Sequence, residues 1–293
     1  MSVSTVSKGH SAGRQAEPAW KRPFVWLNLV CLDAPLVAVA WQWLIVRSLH
    51  LQVALADSAA LFLTAWGIYL ADRLADSVTL AVDRPASLRA KFGARHKFLL
   101  LGVLLLIIAS DAALIWWHLD RHTIRAGIIL GLTAVAYLVV NHEASYVWAK
   151  IPIKEVTIGF LFAGGTLLPL LPRAALSSLV FPAILFACLC SLNCISIAVW
   201  DRDLDRAQGK HSIATQWPRF GAWIPVWAAL VTLGAIALVS VDRGSGAVPL
   251  CLGVSASLLG ALHFVPLPSD ERTALADLVL LTPLAFLLVD TIL

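Results

Sequence analysis

Nine stretches of this 293-residue chain are apolar over about the length that a lipid bilayer requires, at roughly 25–46, 51–71, 97–118, 124–141, 153–172, 179–200, 219–241, 246–266 and 273–292. A hydrocarbon core ~30 Å thick takes about 20 residues of helix to cross. Every backbone N–H and C=O inside that core must be paired within the protein, which leaves only helices and closed barrels. The repeated two-residue alternation of a barrel strand is absent, so the expected fold is all-α, a polytopic bundle of nine transmembrane helices. Charge supports this. Charged residues make up 14% of the chain, against about 25% in soluble domains. That scarcity excludes most soluble folds, disordered tails, disulfide-rich secreted domains and nucleic-acid binders.

The basic residues give the expected orientation. Only Arg47, Arg121, Arg125, Arg173 and Arg243 fall on one side of the nine stretches, and the other 17 of the 22 fall opposite. Excess Lys and Arg mark cytoplasmic loops, so the N-terminus is expected in the cytoplasm and the C-terminus outside. A bacterial cytoplasmic membrane is the expected location. Residues 1–23 read as a flexible cytoplasmic tail without the apolar run of a signal peptide, and residues 24–293 as a single transmembrane domain. Cys31, Cys188, Cys190, Cys194 and Cys251 all lie in apolar stretches without a C-x-x-C spacing, and read as packing residues. Trp20, Trp26, Trp148, Trp200 and Trp217 stand near stretch ends, where indoles anchor at the interface.

The informative residues are acids at the cytoplasmic ends of the second and sixth stretches. Tyr69-Leu70-Ala71-Asp72-Arg73-Leu74-Ala75-Asp76 follows the second. Trp200-Asp201-Arg202-Asp203-Leu204-Asp205-Arg206 follows the sixth. Each contains Asp-Arg-x-x-Asp. On a helix, carboxylates at i and i+4 stand roughly 5–6 Å apart and repel. A divalent cation removes the repulsion, and Mg²⁺ characteristically takes one or two carboxylates together with substrate phosphates. The expected metal ligands are therefore Asp72, Asp76, Asp201 and Asp205. Arg73, Lys150, Lys154, Arg202 and Lys210, with Arg84 and Arg89 after the first signature, lie on the same side and would hold phosphate oxygens.

Val199-Trp200-Asp201-Arg202-Asp203-Leu204-Asp205-Arg206-Ala207-Gln208-Gly209-Lys210-His211-Ser212 resembles the second aspartate motif of the UbiA superfamily of intramembrane prenyltransferases. There, two Asp at i and i+4 precede a Gly-Lys-x-Ser/Thr tail. The first motif, Asn-Asp-x-x-Asp-x-x-x-Asp, is matched in its last two acids by Asp72 and Asp76. Ile68 and Tyr69 replace its leading Asn-Asp. Asp83-Arg84-Pro85 is similar to the Asn-Arg-Pro that follows in relatives, and Leu32-Asp33-Ala34-Pro35 to an acidic-Pro segment in the first helix. Tyr146 with Lys150 or Lys154 looks like the Tyr/Lys stretch before the fifth.

The resemblance spans about residues 25–290. It implies a UbiA-like bundle in which Mg²⁺ holds a prenyl diphosphate at the cytoplasmic side and the prenyl group passes to an aromatic or other lipophilic acceptor. Asp72, Asp76, Asp201 and Asp205 would be catalytic in that reaction. Tyr69, Tyr146 and Asn193 are candidate pocket residues, although Asn193, embedded mid-helix, reads first as an interhelical hydrogen-bonding residue, and Trp66 and Tyr137 could also face the allylic cation. The altered first motif leaves prenyl-diphosphate cyclisation and non-catalytic binding of a lipid diphosphate open. A small-molecule transporter is the alternative of another class, although its polar sites belong nearer the bilayer midplane.

Other polar residues read more plainly. His118, Asp120 and His122 form a solvated outer loop, since no third metal ligand is near. Glu155 pairs with Lys154. Asp111 and Asp277 are partly embedded without an assigned role. Gly159, Gly164 and Gly165 thin the fifth helix for close packing.

Overall fold

The computed structural model describes residues 22–81, 83–240 and 246–292, so residues 1–21 of the expected tail and Arg243 lie outside it. It is all-helical, with no strand among the described residues. Every apolar stretch is helix. The second to fourth stretches are α3 (Leu55–Val78), α5 (Lys97–His118) and α6 (Arg121–Glu143). The fifth and sixth are α8 (Lys154–Leu167) and α9 (Leu176–Trp200), and the seventh and eighth are α12 (Ile224–Val239) and α13 (Ala247–Leu262). Short helices carry the polar connections: α4 (Leu88–Arg95), α7 (Tyr146–Lys150), α10 (Arg202–Gln208) and α11 (Ile213–Gln216).

The first and ninth stretches are not single rods. The first is α1 (Pro23–Leu29) and α2 (Asp33–Ser48), bent by 93°. The ninth is α14 (Ser269–Val279) and α15 (Thr282–Ile292). A proline accounts for each break. Pro35 has no N–H for the Cys31 carbonyl and its ring collides with it, and Pro283 stands in the same relation to Val279. Cys31 takes up the break with a positive φ of 59°. By length and composition, four helices among the described residues cross a membrane unaided, namely Lys97–His118, Arg121–Glu143, Leu176–Trp200 and Pro218–Val239, and the bent α1–α2 pair makes five. The remaining apolar helices are shorter, interrupted or polar at one end.

A break inside a bilayer strands backbone carbonyls, and side chains from neighbouring helices meet them. Trp66 Nε1 donates to the Val30 carbonyl at 3.0 Å. Trp41 Nε1 donates to the Leu280 carbonyl at 2.8 Å, and Ser255 Oγ to the Val279 carbonyl at 2.9 Å. Trp41 is fully buried against Phe186, with ring centroids 4.7 Å apart. Trp41→Phe keeps that packing and orphans the Leu280 carbonyl. It is expected to cost about 2 kcal/mol, read as a lower unfolding temperature in detergent, while Trp117→Phe, on the exposed face of α5, changes little.

The core surrounds α9, whose Phe186, Leu189, Leu192 and Ile195 pack against α2, α8, α12 and α13. In contrast, α5 and α6 turn most of their surface outward. Leu106 is 67% exposed and Trp116 81%. Apolar surface on that scale belongs in lipid. The chain is a multi-pass membrane protein.

The N-terminal end of α6 is closed by its own cap. Asp120 accepts from the backbone N–H groups of His122 and Thr123, both at 2.9 Å. The Thr123 hydroxyl and these amides hold its carboxyl below the usual carboxylate range. Glu155 caps rather than pairs: it accepts from the Ile213 N–H at 3.1 Å, at the start of α11.

Candidate functional site

One end of the bundle gathers the C-terminal ends of α3, α6 and α9 with the starts of α4, α8, α10 and α14. Asp72 and Asp76 close α3. Asp72 accepts from His142 Nε2 at 3.0 Å and Asn141 Nδ2 at 3.4 Å, both from the last turn of α6. Asp76 pairs with Lys210 at 2.8 Å. Lys210 follows the second acidic signature, so this bond ties the two signatures directly together. Lys154, which opens α8, stands within electrostatic range of both Asp72 and Asp205.

Asp201 sits in the turn between α9 and α10 and is buried. Arg89 Nη2 donates to it at 2.6 Å, and the Ser269 hydroxyl makes a second, very short contact. Arg89 belongs to α4 and Ser269 to α14, so this carboxylate joins three segments. Asp205 lies one turn further along α10. Burial, and then the neighbouring Asp201 charge, push its carboxyl above the usual carboxylate range. Asp203, between them, projects outward and pairs at the surface with Arg202 at 3.4 Å.

Gln208 fixes the loop over this mouth. Its Oε1 accepts from the Ala81 N–H at 3.0 Å, while Nε2 donates to the Ala81 and Pro85 carbonyls at 3.2 and 3.0 Å. Arg84 adds a bond to the Ala207 carbonyl at 3.2 Å. Gln208→Ala is expected to speed amide exchange through residues 79–87 by about tenfold or more, the weight of one to two net hydrogen bonds. Mass spectrometry of the exchanged protein reads this directly, with α9 as the unchanged reference.

A comparison of folds decides what kind of bundle this is. The apo structure of a UbiA homolog from Aeropyrum pernix K1 superposes with a TM-score of 0.58 at 16% sequence identity, covering 87% of this chain and 98% of that one. The chain has the UbiA fold. Neither a family model nor a curated protein matches the sequence.

Within the UbiA fold, the residues singled out in the sequence separate into two groups. Asp72, Asp76, Asp201, Asp205, Lys154 and Lys210 come together at the mouth. Arg73, although it follows Asp72, is buried, lies beside the Cys31 thiol and packs under Gly93 of α4. Arg202 pairs with its neighbour Asp203. Lys150 and Tyr146 are exposed on α7 and contact each other, with the ammonium 6.0 Å from the ring centroid. Tyr69 and Asn193 lie deeper, on the wall of one internal cavity. Tyr137 stacks beside Trp148 at 5.7 Å, and Trp66 serves the α1 break.

Sequence reasoning overlooked Asn141, His142 and Ser269, and it grouped Arg89 with the phosphate-holding cations, whereas Arg89 holds Asp201. None belongs to a spacing pattern. Asn141 and His142 are the polar end of an apolar stretch, which was the only signal available for them.

The donor set bears on a metal. No group of three or more His, Cys, Asp or Glu among the described residues forms a ready cage. Mg²⁺ does not need one, since it retains water and accepts substrate phosphate oxygens beside one or two carboxylates. Asp72/Asp76 and Asp201/Asp205 are two such pairs, and Asp205, half-buried beside Asp201, is a carboxyl whose charge calls for a cation. The residues fit Mg²⁺ held jointly with a diphosphate.

Proposed function

We propose that this protein is a Mg²⁺-dependent intramembrane prenyltransferase that moves a prenyl group from a prenyl diphosphate to a lipophilic acceptor. The observation that carries the reading is the convergence of Asp72, Asp76, Asp201 and Asp205 with Lys154 and Lys210 at one end of an otherwise apolar UbiA-fold bundle. Four acids and two lysines around one mouth suit a ligand that brings both negative phosphates and positive metal.

Asp72/Asp76 and Asp201/Asp205 would each hold Mg²⁺, which when bound neutralises the diphosphate as a leaving group. Lys154 and Lys210 would take the remaining phosphate oxygens. Lys210 now neutralises Asp76, so a ligand carrying Mg²⁺ can replace it there and free its ammonium for phosphate. Arg89 holds Asp201 in place, and His142 and Asn141 hold Asp72. The prenyl chain leaves the mouth for the apolar side. An open groove of about 360 Å³ on α8, lined by Val156, Thr157, Phe160 and Leu161, offers such a surface. The expected orientation puts the mouth in the cytoplasm, where soluble prenyl diphosphates are met.

The test incubates the purified protein in lipid nanodiscs with Mg²⁺ and labelled prenyl diphosphates of several lengths, with hydroxyaryl acceptors, and measures diphosphate release and prenylated product. Release and transfer that need Mg²⁺ support the reading. Metal-dependent binding without release identifies a lipid-diphosphate binder, and a cyclised hydrocarbon without acceptor identifies a cyclase.

A further inference from the structure

Below the mouth lies a second polar cluster that the diphosphate reading leaves unused. Asn193 stands eight residues before Asp201 on α9, and Asp277 eight residues after Ser269 on α14. At 1.5 Å per residue, each is about 12 Å deeper in the bilayer than the mouth. Tyr69 lies one helical turn before Asp72. Tyr69, Asn193 and Asp277 share the wall of a cavity of about 30 Å³ that is otherwise lined by apolar side chains such as Val37 and Phe162.

The hydrogen bonds in this cluster are almost closed. Asn28 Nδ2 donates to Asp33 at 2.7 Å and to Asp277 Oδ2 at 2.9 Å. Asn193 Nδ2 donates to Asp277 Oδ1 at 2.8 Å. Asp33 also accepts from the Ala34 N–H at 2.9 Å. The proline breaks at Pro35 and Pro283 bring Asp33 and Asp277 together. One acceptor is left over. Asn193 is 94% buried by its 6% exposure, and its Oδ1 has no hydrogen-bond partner. With the amide nitrogen donating to Asp277, the oxygen is the atom left free. A buried carbonyl without a donor is costly, and one O–H group meets that need. The cavity has room for it, since about 10–15 Å³ accommodates one water-sized group.

We infer that Asn193 Oδ1, backed by the Asn28–Asp33–Asp277 network, forms a subsite that binds one hydroxyl group about 12 Å beneath the diphosphate mouth. Its occupant is either a water or the hydroxyl of a lipophilic acceptor entering from the membrane. The use of the subsite in acceptor selection rests on the prenyl-transfer reading, but its binding chemistry does not.

The test uses the full protein in nanodiscs, with Asn193→Leu, and with Asp277→Asn as a near-isosteric second variant. In Asp277→Asn the new amide can donate to Asn193 Oδ1 and use up the free acceptor. Calorimetry compares 1-naphthol with naphthalene, and infrared difference spectra in H₂¹⁶O and H₂¹⁸O look for an internal water. A prenyl thiolodiphosphate is titrated into the same samples. A wild-type preference for naphthol of about tenfold, the weight of one buried hydrogen bond, lost in both variants, supports an acceptor hydroxyl. An internal-water band lost in both variants, without naphthol preference, supports water.

The inference is overturned if wild type shows neither signal. It is also overturned if either signal survives in both variants, or if folded variants lose thiolodiphosphate binding together with the signal. Absent thiolodiphosphate binding in wild type sinks the prenyl-transfer reading and leaves the naphthol and water results to decide the subsite.

Discussion

Asp201→Ala is expected to cut Mg²⁺-dependent diphosphate release by about 100-fold or more, whereas Asp203→Ala, two residues on, leaves it within about twofold. The two acids share a motif and differ in surroundings. Asp201 is buried and held by Arg89 at 2.6 Å, in a position where a preorganised charge acts on developing charge in a site shielded from water. Losing one such group costs about 10²–10³ in rate. The Asp203 side chain is 83% exposed and pairs only at the surface, an arrangement worth at most about 1 kcal/mol. Asp201→Ala also strands Arg89, so part of a loss could be structural. Asp205→Ala separates the two effects, since among the described residues no ion pair links Asp205 to the scaffold. It is expected to lose release as Asp201→Ala does, with an unchanged unfolding temperature. Equal rates for Asp201→Ala, Asp205→Ala and Asp203→Ala would remove the acids from the chemistry.

The largest effect on stability is expected at Gly159. α8 crosses α9 there with backbone against backbone: a Cβ added at Gly159 would stand 2.8 Å from Ser191 Cα, with the Ser191 backbone nitrogen closer still. Trimming a side chain cannot relieve a clash with main chain, so Gly159→Ala must push the two helices apart. The Ser191 hydroxyl bonds to the Ala187 and Val156 carbonyls would be disturbed with it. The expected cost is about 3 kcal/mol, seen as a lower unfolding temperature in detergent. Gly164→Ala is the control. Its Cβ meets only the end of the Leu130 side chain at 3.7 Å, and the change is expected to stay within about 0.5 kcal/mol. All three glycines of this helix look alike as small residues in sequence. Only their place on the α9-facing side separates Gly159 from the rest.

The same contrast runs through the rest of the molecule. Apolar length located the long apolar helices but not the short polar ones between them, because a bilayer admits few other solutions for apolar segments of that length. It did not reveal that the first and ninth stretches are broken, although Pro35 and Pro283 carried that information. Proline is tolerated in membrane helices when neighbours satisfy the freed carbonyls, and those neighbours, Trp66, Trp41 and Ser255, are distant in the chain. At the mouth, spacing picked out the acids because i,i+4 pairing is local. The side of the membrane was enough to pick out Lys154 and Lys210, but it equally picked out Lys150, which faces away, and Arg73, which turns beneath α4. Sidedness ranks cations only to the level of a loop. Arg89, His142 and the Asn28–Asp33–Asp277 network depend on contacts between helices far apart in sequence, which no spacing encodes.

The central claim is that the acidic mouth binds a diphosphate together with Mg²⁺. Its most direct test is equilibrium binding of a non-reacting prenyl thiolodiphosphate to the protein in nanodiscs, with Mg²⁺ and then with excess chelator. Saturable binding that chelator weakens by about tenfold or more, and that Asp205→Ala weakens likewise, is the predicted result. Binding of equal strength with and without Mg²⁺, or none in either condition, would contradict it.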